Sequence, residues 1–388
     1  MTVSGVTSRL RSIDLLRGIA CVLMAIDHVR VYSGLPAGGP TAGIFFTRWI
    51  THFVAPAFCF FAGTGAFFHE RKLGDVRALS RFLLTRGALL VLLELTVIRV
   101  SWTFNLRFDE YNLAGVIWML GVCMMLMAAL VRLAPKTVGI VGVTIIALQQ
   151  IIGLIGRALP ESLPAPLHWL FQVLYLGGQF SLGAHGPPLA ILFVIVPWIG
   201  VMSAGYGFGL VLLRDDNERR RACLRIGLGA TAAFLVLAGA IVLLTKADAD
   251  APPVLFRLLG QQKYPASQLF LLMTLGPTIA LIPWAEHATG WFADAMVTFG
   301  RVPMFYYLLH IPTIHMAAII VSLVRTGVIT PWLFGNFPLR PSEQPDGYQW
   351  SLWMLYLVWA IVLPLLYLGC RWYARVKAQN PRGIAAYI

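Results

Sequence analysis

The sequence predicts an all-α polytopic membrane protein with about ten transmembrane helices in a single bundle. Of its 388 residues, 58% are hydrophobic and only 12% are charged. A soluble domain carries about twice this charged fraction. The apolar residues form long runs separated by short polar segments, and we see no soluble domain or linker between them. We therefore interpret residues 1–388 as one transmembrane domain.

The apolar runs place the helices in order along the chain. Most of them approach the length of about 20 residues that a helix needs to cross a bilayer. A shorter apolar stretch within residues 165–185 is expected to lie at the membrane interface or to re-enter the membrane. The predicted spans cover residues 13–33, 45–68, 79–99, 113–132, 137–156, 187–213, 223–244, 267–283, 302–324 and 351–373.

The basic residues predict how these spans are oriented. When the N-terminus is placed in the cytoplasm, most of the 30 Lys and Arg residues fall on the cytoplasmic side, as the positive-inside rule requires. The densest basic clusters, HERKLGDVRALSR (69–81) and RDDNERRRACLR (214–225), both lie in short loops on that side. We expect both termini in the cytoplasm. The net charge of +13 then follows from topology, so we expect a lipid bilayer as partner and no nucleic acid.

The first span contains two ionisable residues, Asp27 and His28. A carboxylate inside a bilayer costs at least ~2.5 kcal/mol on insertion scales, so a chain keeps one only where the group has a partner or a task. From the rise of about 1.5 Å per residue, three more histidines fall at a similar depth, in the outer half to the middle of the membrane. They are His52, His310 and His315.

These side chains suggest acid–base chemistry. A histidine base deprotonates a hydroxyl or an amine, and a nearby carboxylate stabilises the imidazolium that forms. We identify His28 as the first candidate base, His52 as the second, and Asp27 as the carboxylate. Because adjacent residues on a helix diverge by about 100°, Asp27 has His28, His52 and His310 as alternative partners. The structural alternative is that all of these groups only join helices through polar contacts.

Metal binding is a third reading of the same residues, and we expect no metal. The ligands would have to converge from different spans, and no His-x-x-x-His spacing supports a site. The five cysteines fall in or beside apolar runs without Cys-x-x-Cys spacing, which is typical of small buried residues.

Five segments resemble the heparan-alpha-glucosaminide N-acetyltransferase catalytic-domain family, including its bacterial members. They occur in the family's order and span most of the chain. The segments are RSIDLLRGIACVLMAIDH (11–28), TRWITHFVAPAFCFFAGTGAF (47–67), VPWIGVMSAGYGFG (196–209), KYPASQLFLLMTLG (263–276) and FGRVPMFYYLLHIPTIH (299–315).

The resemblance implies a multi-pass transmembrane acyltransferase of a bacterial inner membrane. Such a protein takes an acetyl or other acyl group from acyl-coenzyme A on the cytoplasmic side and delivers it to a sugar or other acceptor on the far side. His28 would be the general base or a transient acyl acceptor. A homodimer is one arrangement that the resemblance allows, and acetyl-coenzyme A would be a substrate rather than a resident cofactor.

The remaining candidate residues divide between the two substrates. Tyr306 and His310 share a helix face because they are four residues apart, and with Arg48 and His315 they would bind the acceptor. Arg17 and Arg301, at the cytoplasmic end, would bind the phosphates of the donor.

Animal lysosomal members carry the active histidine in the first lumenal loop, whereas the corresponding loop here has none. The bacterial branch has Asp-His and Thr-His patterns instead, which match Asp27-His28 and Thr51-His52.

Two alternatives to an acyltransferase remain open from the residues alone. In a proton-coupled transporter or flippase, Asp27, Glu94 and the histidines would form a proton relay. We see no internal repeat of the kind from which many transporters are built. In a purely structural membrane protein, the polar groups would only hold helices together.

Overall fold

The computed structural model describes residues 3–39, 41–160, 162, 164–181, 183, 186–246, 248, 250–336, 338 and 344–379. Helices dominate this part of the chain, and short 3-10 or π-helical turns connect several of them. The α-helices are α1 Val3–Ser33, α2 Ala42–Trp49, α3 Val54–Leu73, α4 Val76–Leu93, α5 Arg99–Thr103, α6 Val116–Leu130, α7 Pro135–Arg157, α8 Ala165–Phe171, α9 Val196–Leu212, α10 Asp216–Leu244, α11 Val254–Leu259, α12 Gln268–Ala280, α13 Ile282–His287, α14 Trp291–Arg301, α15 Pro303–Thr326 and α16 Leu352–Gln379.

Within the described residues, six helical segments are long and apolar enough to cross a membrane: Ala42–Leu73, Pro135–Arg157, Asp216–Leu244, Gln268–His287, Pro303–Thr326 and Leu352–Gln379. Two shorter apolar helices, Val116–Leu130 and Val196–Leu212, lie in the fourth and sixth predicted spans. The first and third predicted spans fall on α1 and α4, which carry more charged residues. The prediction of an α-helical membrane protein is confirmed. Ten crossings and cytoplasmic termini stay predictions, and residues 380–388 lie outside the described part.

A small sheet replaces the start of two predicted spans. Asn112–Ala114 (β1) pairs in parallel with Pro188–Ile191 (β3), which pairs antiparallel with Gly178–Ser181 (β2). The spans predicted from residues 113 and 187 therefore begin as strands, and their helices start at Val116 and Val196. Short apolar runs do not distinguish a strand from a helix by periodicity, which explains the error.

The chain forms two compact units. The first comprises Met1–Val54, Val97–Leu106 and Ile282–Ile388, and the second comprises Ala55–Thr96 and Arg107–Leu281. All candidate site residues named above except Glu94 belong to the first unit.

Closely packed helix pairs, α4 with α6, α7 with α9 and α10 with α12, organise the second unit. Glycines allow these backbones to approach, as Gly87 and Gly121 do where α4 crosses α6, which is how helices commonly pack in membranes. Glu94 follows α4, is buried, and accepts hydrogen bonds from the backbone N–H groups of Ile117 (2.9 Å) and Trp118 (3.2 Å). This carboxylate therefore caps the first turn of α6.

Helix α1 is the centre of the first unit and packs against α13, α14, α15 and α16. It crosses α14 with backbone against backbone: a Cβ on Gly18 would fall on the carbonyl of Met296, and one on Gly300 on the carbonyl of Asp14. The indole Nε1–H of Trp359 in α16 donates to the carbonyl of Val22 at 3.1 Å. These contacts fix the axis of α1 and hence the height of the side chains it carries.

The segment between α15 and α16 caps the C-terminal end of α1. Three carbonyls in its last turn accept hydrogen bonds, from the Asn336 side chain to Val31 (2.8 Å), from the Tyr348 hydroxyl to Tyr32 (2.9 Å) and from the Trp350 N–H to Ser33 (2.9 Å). Such carbonyls have no partner within their own helix. Burial raises the pKa of Tyr348 above its ordinary value, so this phenol keeps the proton that it donates.

The crossing of α1 and α14 generates a stability prediction. In Gly300→Ala, the new methyl group overlaps a backbone carbonyl that has no alternative position, so we expect a loss of about 1–3 kcal/mol. The measurement is thermal unfolding of the purified protein in detergent. Gly229→Ala in α10 is the matched control, because a Cβ there meets nothing within 4 Å. Equal melting temperatures for the two variants would contradict the crossing.

Candidate active site

Two histidines from different helices form a direct hydrogen bond in the first unit. His28 Nδ1 of α1 lies 2.6 Å from His310 Nε2 of α15. The two rings are nearly parallel, with centroids 4.7 Å apart and planes 22° apart. His310 is fully buried and His28 is partly buried. The structure thus brings together two residues that lie 282 positions apart in the sequence.

Backbone carbonyls set the direction of this hydrogen bond. His310 Nδ1 lies 2.7 Å from the carbonyl of Tyr307 and 3.1 Å from that of Tyr306. A carbonyl only accepts, so Nδ1 of His310 carries the proton and, in the neutral ring, Nε2 does not. His28 Nδ1 must then donate to His310 Nε2, and the remaining nitrogen of His28, Nε2, carries a lone pair. This tautomer is assigned from the hydrogen-bond network.

Aromatic rings surround the pair. Trp102 of α5 meets His28 edge to face, with centroids 4.8 Å apart, and Tyr306 stacks on His310 at 5.2 Å with planes 17° apart. The hydroxyl of Tyr32 donates to the carbonyl of Trp102 at 2.6 Å and so links α1 to α5. Trp102 is only 2% exposed. These rings keep water away from much of the imidazole surface, which strengthens the hydrogen bond between the histidines.

His315 lies in an aromatic stack of its own. Its ring lies between Tyr32 (4.7 Å) and Phe104 (4.0 Å), nearly parallel to both. Nδ1 donates to the carbonyl of Ser101 at 3.2 Å, whereas Nε2 is buried without a hydrogen-bond partner. Phe104 has a left-handed backbone with φ of 48°, which is unusual for a bulky residue.

Asp27 pairs with arginines. Its carboxylate accepts from Arg30 Nε at 2.9 Å and from the Arg48 guanidinium of α2. Arg48 also donates to Thr51 Oγ1 at 3.3 Å. The partners expected from the sequence were histidines, but the described contacts lead toward α2, because consecutive helical residues diverge by about 100°. His52 lies in the 3-10 turn Ile50–Phe53, which packs against α1.

The two arginines assigned to donor phosphates lie toward the opposite end of α1. Arg17 Nη2 is 3.1 Å from the carboxylate of Asp14, and Arg301 is close enough to Asp14 to interact with its charge. Arg11 pairs with Asp294 at 2.7 Å. The guanidinium groups of Arg17 and Arg301 therefore lie near the same carboxylate, and Arg17 is separated from His28 by roughly 16 Å of helix.

Sequence reasoning missed two residues of the site. Arg30 is three residues after Asp27, and this spacing is a readable signal of an ion pair on a helix. Trp102 falls between the third and fourth predicted spans, 79–99 and 113–132, and lies in the short helix α5. No local sequence pattern indicates the contact of Trp102 with His28, since it depends on how α5 packs against α15 and near α1.

In the described residues, no group of three or more His, Cys, Asp or Glu side chains is arranged to hold a metal ion.

A protein-family model described as "Heparan-alpha-glucosaminide N-acetyltransferase, catalytic" matches residues 9–245, more than half of the chain. The chain belongs to this family of transmembrane acetyltransferases. The resemblance found in the sequence is thereby confirmed. A comparison with curated proteins finds no significant match.

The acetyltransferase family match covers only part of the site. It includes α1 with Asp27 and His28, and the segment with Arg48 and His52, but it ends before α15, which carries His310. The hydrogen bond between the two histidines is therefore an observation of this structure that the family match alone does not contain.

The Asp27–Arg48 ion pair gives a testable prediction. Both side chains are mostly buried, 16% and 12% exposed, so a double-mutant cycle with Asp27→Asn and Arg48→Gln should give a coupling energy of about 1–3 kcal/mol. The pair Arg107–Glu110 is the control because its side chains are 70% and 41% exposed, and exposed pairs contribute below about 1 kcal/mol. Unfolding in detergent measures both cycles. A coupling at Asp27–Arg48 no larger than the control would contradict the pairing.

Proposed function

We propose that the protein is a multi-pass enzyme of a bacterial inner membrane that transfers an acetyl group from acetyl-coenzyme A to a sugar or other hydroxyl- or amine-bearing acceptor. The observation that supports this best is the His28–His310 hydrogen bond. It gives His28 one nitrogen with a lone pair, Nε2, in a site largely enclosed by aromatic rings. Family membership supports the acetyl transfer.

The reaction follows from that tautomer. His28 Nε2 takes the proton from the acceptor's hydroxyl or amine, and the acceptor's oxygen or nitrogen forms a bond with the thioester carbon. The carbon–sulfur bond then breaks, and the coenzyme A sulfur leaves with the proton from the imidazolium. In the alternative route, Nε2 itself attacks the thioester carbon, the carbon–sulfur bond breaks, and the coenzyme A thiolate leaves. The acceptor's oxygen or nitrogen then attacks the acetyl carbon, the carbon–nitrogen bond to His28 breaks, and the thiolate takes the acceptor's proton.

His310 stabilises the charged form of His28. Once His28 is an imidazolium, its Nδ1–H still donates to His310 Nε2, and the carbonyls of Tyr306 and Tyr307 keep His310 in the accepting tautomer. The arrangement resembles the role of the carboxylate in a serine-protease triad, with a neutral imidazole in place of the acid. Asp27 contributes indirectly, because its ion pair with Arg48 ties α1 to α2 one residue before His28.

The two ends of α1 suit two different substrates. The guanidinium groups near Arg17 and Arg301 match the phosphates of coenzyme A, since arginine binds phosphate through paired N–H donors. Arg48, His52 and His315 lie toward the His28 end, where they would contact the acceptor. With the predicted orientation, the donor binds from the cytoplasm and the acceptor from the outside, and the whole chain acts as one transmembrane domain in the lipid bilayer.

The decisive experiment removes the proposed base. His28→Ala should lower acetyl transfer from acetyl-coenzyme A by about 10²–10⁴-fold, the usual contribution of general-base catalysis. The purified protein in detergent is assayed for release of coenzyme A with glucosamine as a test acceptor. The exposed His287 provides the matched control, and His287→Gln should keep the wild-type rate. A His28→Ala variant with the wild-type rate would remove His28 from the mechanism.

The His310→Gln variant separately tests the role of the hydrogen bond between His28 and His310. A glutamine cannot both donate to the backbone carbonyls and accept from His28 in the same geometry, so we expect a rate about 10–100-fold below wild type, with a shifted pH profile. The KM for acetyl-coenzyme A should change little. Unchanged kcat and pH profile would show that His310 only packs.

A further inference from the structure

We propose that the Tyr306 hydroxyl hydrogen-bonds the thioester arm of the acyl-coenzyme A donor, which would lie along α1 between Arg17 and His28. This inference rests on the proposed function and assigns the donor a contact that family membership does not supply. It also changes the role of Tyr306, which the sequence assigned to the acceptor.

Three residues share one face of α1, and the line that joins them is called the path below. Arg17, Cys21 and His28 lie within about 40° of one another around the helix axis, because they are separated by four and seven residues. The path runs from the guanidinium groups to the imidazole over roughly 16 Å. The extended pantetheine arm of coenzyme A, which joins the phosphates to the thioester, has a comparable length.

Tyr306 lies beside the middle of this path. It is fully buried, and its ring stacks on His310. Its hydroxyl lies near the thiols of Cys21 in α1 and Cys370 in α16. Because Cys21 precedes His28 by seven residues, this neighbourhood is about 10 Å from His28 along α1, on the Arg17 side.

Two polar groups along the path have no hydrogen-bond partner. The Tyr306 hydroxyl and the Arg17 Nε–H are both buried and unsatisfied. A buried donor without a partner is costly, and each such group in a native structure needs an explanation. One explanation fits both groups, namely a ligand that carries acceptors at two heights along α1.

The chemistry of acetyl-coenzyme A matches the two heights. A phosphate oxygen would accept from the Arg17 Nε–H, and an amide or thioester carbonyl of the acetylated arm would accept from the Tyr306 hydroxyl. The methylene groups between these carbonyls suit the apolar surroundings of Cys21 and Cys370. A sugar acceptor does not match, because its many hydroxyl groups would be desolvated against thiols. A bound water molecule at the hydroxyl is the competing occupant.

Comparing two acetyl donors distinguishes binding of the pantetheine arm from binding of the nucleotide. Acetyl-coenzyme A carries both parts, whereas S-acetyl-N-acetylcysteamine carries the thioester and one amide without phosphates. Tyr306→Phe should raise the KM for both donors by roughly five- to tenfold, the effect of losing one hydrogen bond. Arg17→Gln should raise the KM for acetyl-coenzyme A only. Tyr367→Phe is the matched control, since Tyr367 packs on Phe299 as Tyr306 does, and it should change neither KM.

A binding measurement complements the kinetics. Desulfo-coenzyme A keeps the amides and cannot react, so calorimetry in detergent reports its affinity without turnover. Its dissociation constant should rise several-fold in Tyr306→Phe and stay at the wild-type value in Tyr367→Phe. Cys21→Leu fills the path with a larger side chain and should weaken the same ligand with Tyr306 intact.

The outcomes distinguish the two levels of the proposal. If the wild-type protein uses both donors and Tyr306→Phe leaves both KM values unchanged, the hydroxyl binds water and the assignment of Tyr306 is overturned. If the wild-type protein neither binds nor turns over either donor, the proposed acetyl transfer itself fails. A raised KM for both donors in Tyr306→Phe, together with a raised KM for acetyl-coenzyme A alone in Arg17→Gln, supports the inference.

Discussion

The hydrogen bond between His28 and His310 is the constraint on which the candidate site depends. Each imidazole has one donor and one acceptor when neutral, so fixing one nitrogen of His310 fixes the other three. The backbone carbonyls of Tyr306 and Tyr307 in α15 fix the proton on His310 Nδ1, because they accept its hydrogen bond. A side chain can rotate, but a helical backbone cannot easily turn its carbonyls, and the proton arrangement of both rings is therefore built into α15.

The rest of the first unit holds these rings at a fixed distance. Glycine contacts between α1 and α14 set the position of α1, and hydrogen bonds from the segment between α15 and α16 satisfy its last carbonyls. Trp102 and Tyr306 cover the imidazoles from two directions. The ion pairs of Asp27 tie α1 to α2 one residue away from His28. A small change at any of these contacts alters a hydrogen bond that tolerates only a few tenths of an ångström.

Much of this arrangement could be predicted from the sequence, and the reasons differ between elements. Long apolar runs identified the helices, because membrane helices need a minimum length of apolar residues. Asp27 and His28 stood out because ionisable groups inside a bilayer are costly. The sheet was missed, since β1 and β3 are short apolar stretches whose pairing depends on residues about 75 positions apart.

Partner choice within the site was harder to predict. Depth along the helices placed His28 and His310 at compatible heights, but depth does not show which way a side chain points around the axis. Asp27 was expected beside a histidine and is found beside Arg30 and Arg48, and Trp102 falls between two predicted spans. These contacts depend on helix rotation and on a short helix, α5, whose five residues give no periodic signal.

The tautomer of His28 is the most direct test of the account, and it can be measured without any substrate. Nitrogen-15 spectra of histidine-labelled protein in lipid bilayers, compared with those of His28→Gln, isolate the two nitrogens of His28. We predict a protonated Nδ1 in a strong hydrogen bond and an unprotonated Nε2. A protonated Nε2 in the neutral ring, or an Nδ1 signal that does not change in His310→Gln, would contradict it.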